Sequence, residues 1–360
     1  MIAYNFLIIW TIEVSTILGG GGDSGSGVFH EIASVSNLLA AWNEFKRGKQ
    51  KKKDIAHFEL RLEDNIFKLH KELVEKNYTH DPYEAFYICD PKRRHIHKAS
   101  VRDRVMHQAI FRVLYPIFDP SFIYDSYSSR NLKGTHAGVI RLTDACRKVT
   151  GNWRNTAYAL KCDIRKFFDS IDHTTLRSLL LKKIAGPEMI WLIDLIFDSF
   201  EKENGKALPL GNVTSQLFAN VYMNEFDQYA KHVLKARHYF RYCDDFIIVH
   251  EDKAYLESCI EKIRIFLKEE LLLNLHPDKI EIRKIRQGVD FLGYVTLPHV
   301  HVIRTKTYRR AIRKLYLAKE RFEKGEMQNI TFQSIISSYL GIFEHCQSNS
   351  LKVKIKRFKK

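Results

Sequence analysis

The segment Arg241-Tyr-Cys-Asp-Asp-Phe-Ile-Ile-Val sets two adjacent carboxylates, Asp244 and Asp245, between apolar runs that read as paired β-strands. Carboxylates this close repel one another unless a cation lies between them, so the pair is expensive as scaffolding alone. One Asp in a tight turn is common because its side chain caps its own backbone, whereas two in succession point to a metal. Leu160-Lys-Cys-Asp-Ile supplies a third acid, Asp163, at the end of another apolar strand. Strands carrying Asp163 and the Asp244-Asp245 turn can lie side by side in one sheet and bring the three carboxylates to one pair of ions. Two magnesium ions about 4 Å apart activate a hydroxyl nucleophile and stabilise a phosphate leaving group, which is the chemistry of nucleotidyl transfer. Magnesium takes oxygen ligands and keeps several waters, so two or three aspartates suffice. Asp169 and Asp172, in the same stretch as Asp163, read instead as turn and helix N-cap residues.

The elements that must hold these groups follow from periodicity. Residues 157–164 read as a strand ending at Asp163, and 239–242 and 246–250 as strands joined by a tight Cys243-Asp244-Asp245 turn. From Val28 the chain reads as helix, with an amphipathic stretch opening at Ser36 and a basic run at 46–53. A second helix over about 54–76 would carry Phe58, Leu62, Ile66, Leu69 and Leu73 on one face. Residues 83–96 form a predicted hairpin turning at Asp90-Pro91-Lys92, and 102–114 a helix. Further helices are predicted over 174–184, 188–200, 215–232 and 255–270, and short strands over 291–295 and 300–303. The tail from Lys306 is basic and reads as helical throughout. This mixed order predicts an α+β fold with one antiparallel sheet.

A chain of 360 residues, 45% of them hydrophobic, can bury two or three modules. Its 58 Lys and Arg outnumber 42 Asp and Glu, a formal charge of +16, which concentrates polyanions around it; nucleic acid is the commonest of these inside cells. The six cysteines lie far apart with no Cys-x-x-Cys pair, which excludes a zinc ribbon or disulfide framework and fits free thiols in a reducing cytoplasm. Sixteen histidines are scattered without metal-ligand spacing. Residues 4–18 are apolar but too short to span a membrane, and they lack the basic start of a secretory signal. With the Gly/Ser-rich run that follows, residues 1–27 read as an appended peptide and linker outside the fold.

Asp163 with Phe167-Phe168, and Tyr242-Cys-Asp-Asp, resemble the first and third palm motifs of reverse transcriptases, the RNA-directed DNA polymerases. Arg102-Asp-Arg-Val-x-His107-Gln-Ala is similar to the family's first fingers block, and Ser129-Arg130 through Gly134-Thr-His136-Ala to its second. Leu208-Pro-Leu-Gly-Asn-Val-Thr-Ser-Gln216 matches its template-side block, Leu275-His-Pro-Asp-Lys279 its lysine-bearing block and Phe291-Leu-Gly-Tyr294 its primer grip. The blocks keep the family's order from about residue 30 to the end. The resemblance implies a right-hand polymerase, with fingers over 28–155, palm over 156–298 (with fingers insertions) and a small helical thumb over 299–360. It implies that Asp163, Asp244 and Asp245, with the main chain of Ile164, hold two Mg²⁺ ions, for which Mn²⁺ can substitute. Lys279 would either protonate the pyrophosphate or contact phosphate. Arg102, Arg104 and Arg130 suit the incoming triphosphate, because guanidinium offers bidentate contacts to phosphate oxygens. Phe168, beside Phe167, falls where the family has an aromatic gate against a 2′-hydroxyl, with core packing as the alternative. Leu210, Gly211 and Gln216 would flank the nascent base pair, and Phe291, Leu292, Gly293 and Tyr294 the primer.

Most reverse transcriptases carry Gln-Gly-x-x-x-Ser-Pro in the template-side block, where this chain has Leu210-Gly211-x-x-x-Ser215-Gln216. That form resembles the reverse transcriptases of diversity-generating retroelements, which copy a template repeat with errors at adenines. Loss of a polar side chain there implies looser policing of base-pair geometry. Retron and phage-defence reverse transcriptases are rival readings, as is a non-catalytic RNA-binding protein on the same fold, although the intact aspartates argue against the last. The implied partners are an RNA template, a DNA or RNA primer, the RNA–DNA duplex and deoxynucleoside triphosphates. A small basic helical accessory protein is implied for the diversity-generating type. No membrane partner is expected, and the expected location is the cytoplasm.

Overall fold

Alternating apolar residues and tight turns build three antiparallel sheets, of two, four and three strands, where the sequence suggests one. The structure, a computed structural model, describes residues 24–89, 93–200, 202, 205–347, 353 and 355. In the first half the order is α1 (Ser24–Ala33), α2 (Val35–Phe45), α3 (Lys53–Glu59), α4 (Leu62–Val74), β1 (Glu84–Cys89), β2 (Arg93–Lys98), α5 (Val101–Phe118), α6 (Thr135–Val149), β3 (Tyr158–Asp163), α7 (Phe167–Ser170) and α8 (His173–Leu181). There follow α9 (Pro187–Asp198), α10 (Val213–His232), β4 (His238–Tyr242), β5 (Asp245–His250), α11 (Lys253–Glu269), β6 (Glu281–Lys284), β7 (Val289–Phe291), β8 (Tyr294–Leu297), β9 (Val300–Ile303), α12 (Thr305–Glu323) and α13 (Asn329–Glu344). The class is α+β, as expected. No helix among the described residues is long and apolar enough to cross a membrane.

Several boundaries differ from the sequence reading, each for a local reason. Helix α1 begins at Ser24, so residues 24–27 form its first turn instead of belonging to the linker. Residues 1–23 and the expected turn at Asp90-Pro91-Lys92 lie outside the described residues. The helix expected over 54–76 is two, because Arg61 leaves helical geometry (φ −128) and the Asn65 side chain donates to the Phe58 carbonyl at 3.0 Å, satisfying an orphan acceptor. The strand expected over 291–295 is a hairpin: Leu292 (φ 52) and Gly293 (φ 90) form a two-residue turn of the primed kind between β7 and β8. The basic tail is likewise interrupted, with Gly325 (φ 75) in the left-handed cap position that ends α12.

The chain divides into two compact units, each assembled from separated stretches. Unit 1 takes the described residues of Met1–Ile123, Arg165–Gln228 and Phe266–Asn274. It is largely helical, around the buried face of α5 (Val105, Met106, Ala109, Ile110, Val113, Leu114), and it carries the β1–β2 hairpin. Unit 2 takes Tyr124–Ile164, Tyr229–Ile265 and the described part of Leu275–Lys360. It holds the four-stranded sheet, in the order β4-β5-β3-β6, and the three-stranded sheet β7-β8-β9. Phe246 to Val249 of β5 are all buried, which explains why that strand reads as an unbroken apolar run.

Candidate active site

All three aspartates belong to unit 2, on neighbouring strands of one sheet. In the antiparallel pairing of β3 with β5, Asp163 stands directly opposite Asp245. Such partners have Cα atoms about 4.5–5.5 Å apart. Tyr242 pairs with Asp245 across the β4–β5 hairpin, leaving Cys243 and Asp244 as a two-residue loop with Cys243 in the left-handed region (φ 58). Asp245 therefore opens strand β5, where the sequence reading has it in the turn. Burial and the Asp163 charge hold the Asp244 carboxyl above its usual range. Burial, opposed by Lys161 and reinforced by Asp163 and Asp244, raises Asp245 to about 6.

Lysines neutralise this cluster. The Lys279 ammonium donates to Asp163 Oδ1 at 2.7 Å, and the Lys161 ammonium lies 3.4 Å from Asp245 Oδ2. Asp245 Oδ1 is buried without a hydrogen-bond partner. Among the described residues no three His, Cys, Asp or Glu side chains converge with metal-holding geometry. The main-chain positions of the three aspartates are thus together, while two of the carboxylates are turned toward ammonium groups. The donor set fits a hard divalent cation: carboxylate oxygens only, with one buried oxygen unsatisfied. Lys279 reaches Asp163 because the His276 amide donates to the Asp163 carbonyl at 2.8 Å, while Ile164, itself buried, bridges to Leu275.

Two groups here escape the motif reading. Lys161 stands two residues before Asp163 on β3, and residues at i and i+2 share a face of a strand; its ammonium also donates to the Asp290 carbonyl at 2.8 Å. That period-two relation is a signal the sequence contains. Arg241 is fully buried, and its guanidinium donates to the Cys243 carbonyl at 3.1 Å and to Ser126 Oγ at 3.0 Å. It braces Cys243, the left-handed residue of the turn that carries Asp244. Nothing local in the sequence distinguishes it from a surface arginine.

Within unit 1, the Leu208 amide donates to the Phe168 carbonyl at 2.8 Å, tying the aromatic pair to the template-side block. Phe167 is buried and Phe168 half-buried against it edge-on, with ring centroids 5.3 Å apart. The Leu210 carbonyl accepts from the His97 amide of β2. Gly211 needs to be glycine: its φ is 128, and a Cβ would come 3.3 Å from the His97 carbonyl. Gln216 is exposed. Behind the block, buried His107 receives hydrogen bonds on Nε2 from Asn212 (3.1 Å) and contacts Thr214 Oγ1 through Nδ1 (2.9 Å). Burial, with the His80 charge, lowers its pKa to about 3.

The three arginines are engaged within the protein. Arg102 donates to Glu72 at 2.8 Å and to the Thr79 carbonyl, and Arg104 to Asp54 at 2.9 Å. Contact of either with a triphosphate would require these carboxylates to be exchanged. Arg130 donates to the Ser126 carbonyl at 3.2 Å. In the primer-grip block Phe291 and Tyr294 are buried, and the Tyr294 hydroxyl donates to the Ile342 carbonyl at 3.0 Å. Only the Leu292–Gly293 turn is left to face a ligand. Asp172 caps α8 through a 2.9 Å bond from the Thr175 amide, the role expected of it, whereas Asp169, expected in a turn, lies within the short helix α7 and pairs with Lys202.

Residues 89–296, more than half of the chain, match the sequence model of the family described as Reverse transcriptase (RNA-dependent DNA polymerase). The chain belongs to this family. It is an RNA-directed DNA polymerase by membership, and polymerases of this family work with divalent metal ions. The chain is similar to Protein YkfC of Escherichia coli strain K12, 27% identical over 270 residues that cover 63% of this chain and 69% of YkfC. It is also similar to the group II intron-encoded protein LtrA of Lactococcus lactis subsp. cremoris, 23% identical over 69% of this chain and 52% of LtrA. The chain thus spans about half the length of that intron-encoded relative. Among solved structures, apo telomerase from Candida tropicalis, truncated from its C-terminal domain, aligns over 65% of this chain with a TM-score of 0.44 and 16% identity.

Proposed function

We propose that this reverse transcriptase extends a DNA or RNA primer on an RNA template. Asp163, Asp244, Asp245 and the Ile164 carbonyl would hold two Mg²⁺ ions, with Mn²⁺ able to substitute. The observation that carries the reading is the strand register that sets Asp163 opposite Asp245 while one Asp245 oxygen is buried and unsatisfied. Bound there, such ions would activate the primer 3′-hydroxyl and would neutralise charge on the leaving pyrophosphate. Lys161 and Lys279 hold the carboxylates in place without metal, and Lys279, released from Asp163, is free to contact the pyrophosphate or give it a proton. Phe168 limits room at the sugar 2′-position, and Leu210, Gly211 and Gln216 flank the nascent pair. Arg130 contacts the triphosphate, and the Leu292–Gly293 turn, held between Phe291 and Tyr294, contacts the primer. Fingers, palm and thumb correspond to residues 28–155, 156–298 and 299–360.

Within the family we assign the chain to the diversity-generating type, on the strength of Leu210 and Gln216 in the template-side block. That type works in the cytoplasm with a small basic helical accessory protein and misincorporates at template adenines. The test of the catalytic reading is Asp244→Asn, which keeps the shape and removes the charge. Deoxynucleotide incorporation on an RNA template should fall by about a thousandfold or more, comparable to losing a preorganised charge at a reacting centre. RNA affinity should stay nearly unchanged, and persistent extension by this variant would mean that the metal site has been misassigned.

A further inference from the structure

At the end of β4 opposite the catalytic turn, unit 2 has two adjoining recesses of about 210 and 260 Å³. Lys148, Arg237 and His238 line both, and Lys235 and His250 line the second. Strand β4 runs from His238 to Tyr242, so at about 3.4 Å per residue the recesses begin roughly 14 Å from the start of the turn. They are separate from the carboxylate site.

Charge in the recesses is unbalanced. Asp125 is taken by Arg141 at 3.2 Å and Asp144 by Arg147 at 3.7 Å, which leaves Glu251 among the lining acids. Among the described residues the side chains of Lys148, Lys235 and Arg237 make no hydrogen bond or ion pair. Helix dipoles explain part of this, since α6 ends at Val149 and α10 at His232, and cations are favoured in a last helical turn. Lys235, Arg237 and His238 come after the helix and fall outside that effect. Lys235 even adopts a left-handed backbone (φ 58), a position that glycine occupies more cheaply. Burial first, and then Arg237, Lys231 and Lys148 against an opposing Asp125, hold His238 below its usual pKa.

We infer that these recesses form a second phosphate-binding surface, which takes the sugar–phosphate backbone of the RNA template away from the site of synthesis. Phe240 is buried and no Tyr or Trp lines either recess, while Lys148, Lys235 and Arg237 supply cations, so recognition is of backbone, independent of sequence. Arginine and lysine in a concave wall suit phosphate oxygens, as guanidinium contacts them in a bidentate manner. The inference rests on the RNA-templated reading above. An RNA anchored here is held independently of the end being copied, which matters for a long template and not for a short one.

The test is the double variant Lys148→Glu/Arg237→Glu in the full chain, with two substrates sharing one 3′-end: a primer–template too short to leave the cleft, and a long RNA template. Extension of the short substrate should be unchanged. Affinity for the long RNA should fall about tenfold, and the slope of log affinity against log salt should flatten by roughly 1.4–1.8, the loss of two phosphate contacts. Long-RNA affinity and slope equal to wild type, with short-substrate extension intact, overturns this inference alone. Failure of the wild-type protein to extend the short substrate sinks the polymerase reading instead. If charge reversal impairs folding, Lys148→Gln/Arg237→Gln is judged by the same slope. Competition on the wild-type protein separates the sources of anion. Long RNA should compete, whereas displacement by polyglutamate or inorganic phosphate at equal charge would overturn the RNA assignment.

Discussion

At Asp245 one carboxylate oxygen meets the Lys161 ammonium and the other is buried without a hydrogen-bond partner. Lys161 and Asp245 are each about a quarter exposed (25% for both side chains), so the pair lies between the weak surface case and the strong buried one. Lys161→Met should lower metal-free stability by about 1–2 kcal/mol. It should also increase the stabilisation gained on adding Mg²⁺, since an ion that binds only the folded state then restores the lost charge. Thermal unfolding with and without Mg²⁺ reads both effects, and an unchanged gain from the ion would show that Asp245 holds no metal. Leu210 carries the subfamily assignment. Leu210→Gln should reduce misincorporation opposite template adenines by about tenfold or more, the worth of one polar contact of 1–3 kcal/mol. Sequencing cDNA made by both proteins on one template decides it, and equal error spectra would remove the diversity-generating reading.

At the scale of elements, helix α5 and the template-side block are joined through buried His107, whose neutral ring accepts from Asn212 and meets Thr214. The fold holds this ring uncharged, with a pKa of about 3, while in the unfolded chain it titrates near 6.5. The unfolded state therefore binds the proton more tightly between those values. The stabilising contribution is complete above about pH 6.5 and is lost as pH falls toward 3, at up to about 1.4 kcal/mol per unit. Urea midpoints at about pH 7.5 and about pH 5.5 should differ more for the wild type than for His107→Gln. Equal differences would mean that the ring is not held neutral. Strands β3, β4 and β5 of the aspartate-bearing sheet were legible from apolar runs of the right length, and α5, α10 and α11 from their spacing, whereas its fourth strand, β6, has no apolar run and was not. The break at Arg61 and the Leu292–Gly293 turn were not, because each depends on a cap or a left-handed residue that periodicity does not register.

The whole chain carries a formal charge of +16, and part of it forms one helix face. On α12 the exposed Lys306, Arg309 and Arg313 recur at helical spacing opposite buried Ala311, Leu315 and Ala318. Replacing those three cations by Gln should flatten the salt dependence of RNA affinity by roughly 2–3 in log–log slope, one phosphate contact each. A slope equal to wild type would exclude α12 as a backbone-binding face. The sequence by itself determined the family, the α+β class and the strand ends that carry Asp163, Asp244 and Asp245, because residue type at short spacing and strand periodicity are local properties. It also determined the capping role of Asp172, which follows from its position before a helix. Only the tertiary structure decided that Lys161 and Lys279 neutralise the carboxylates, that Arg241 braces the turn and that Arg102 and Arg104 are spent on Glu72 and Asp54. It alone gathered Lys148 and Arg237 into one recess. Each of these is a contact between residues far apart in the chain, and a side chain's partner is set by where the backbone brings it, which residue type leaves open.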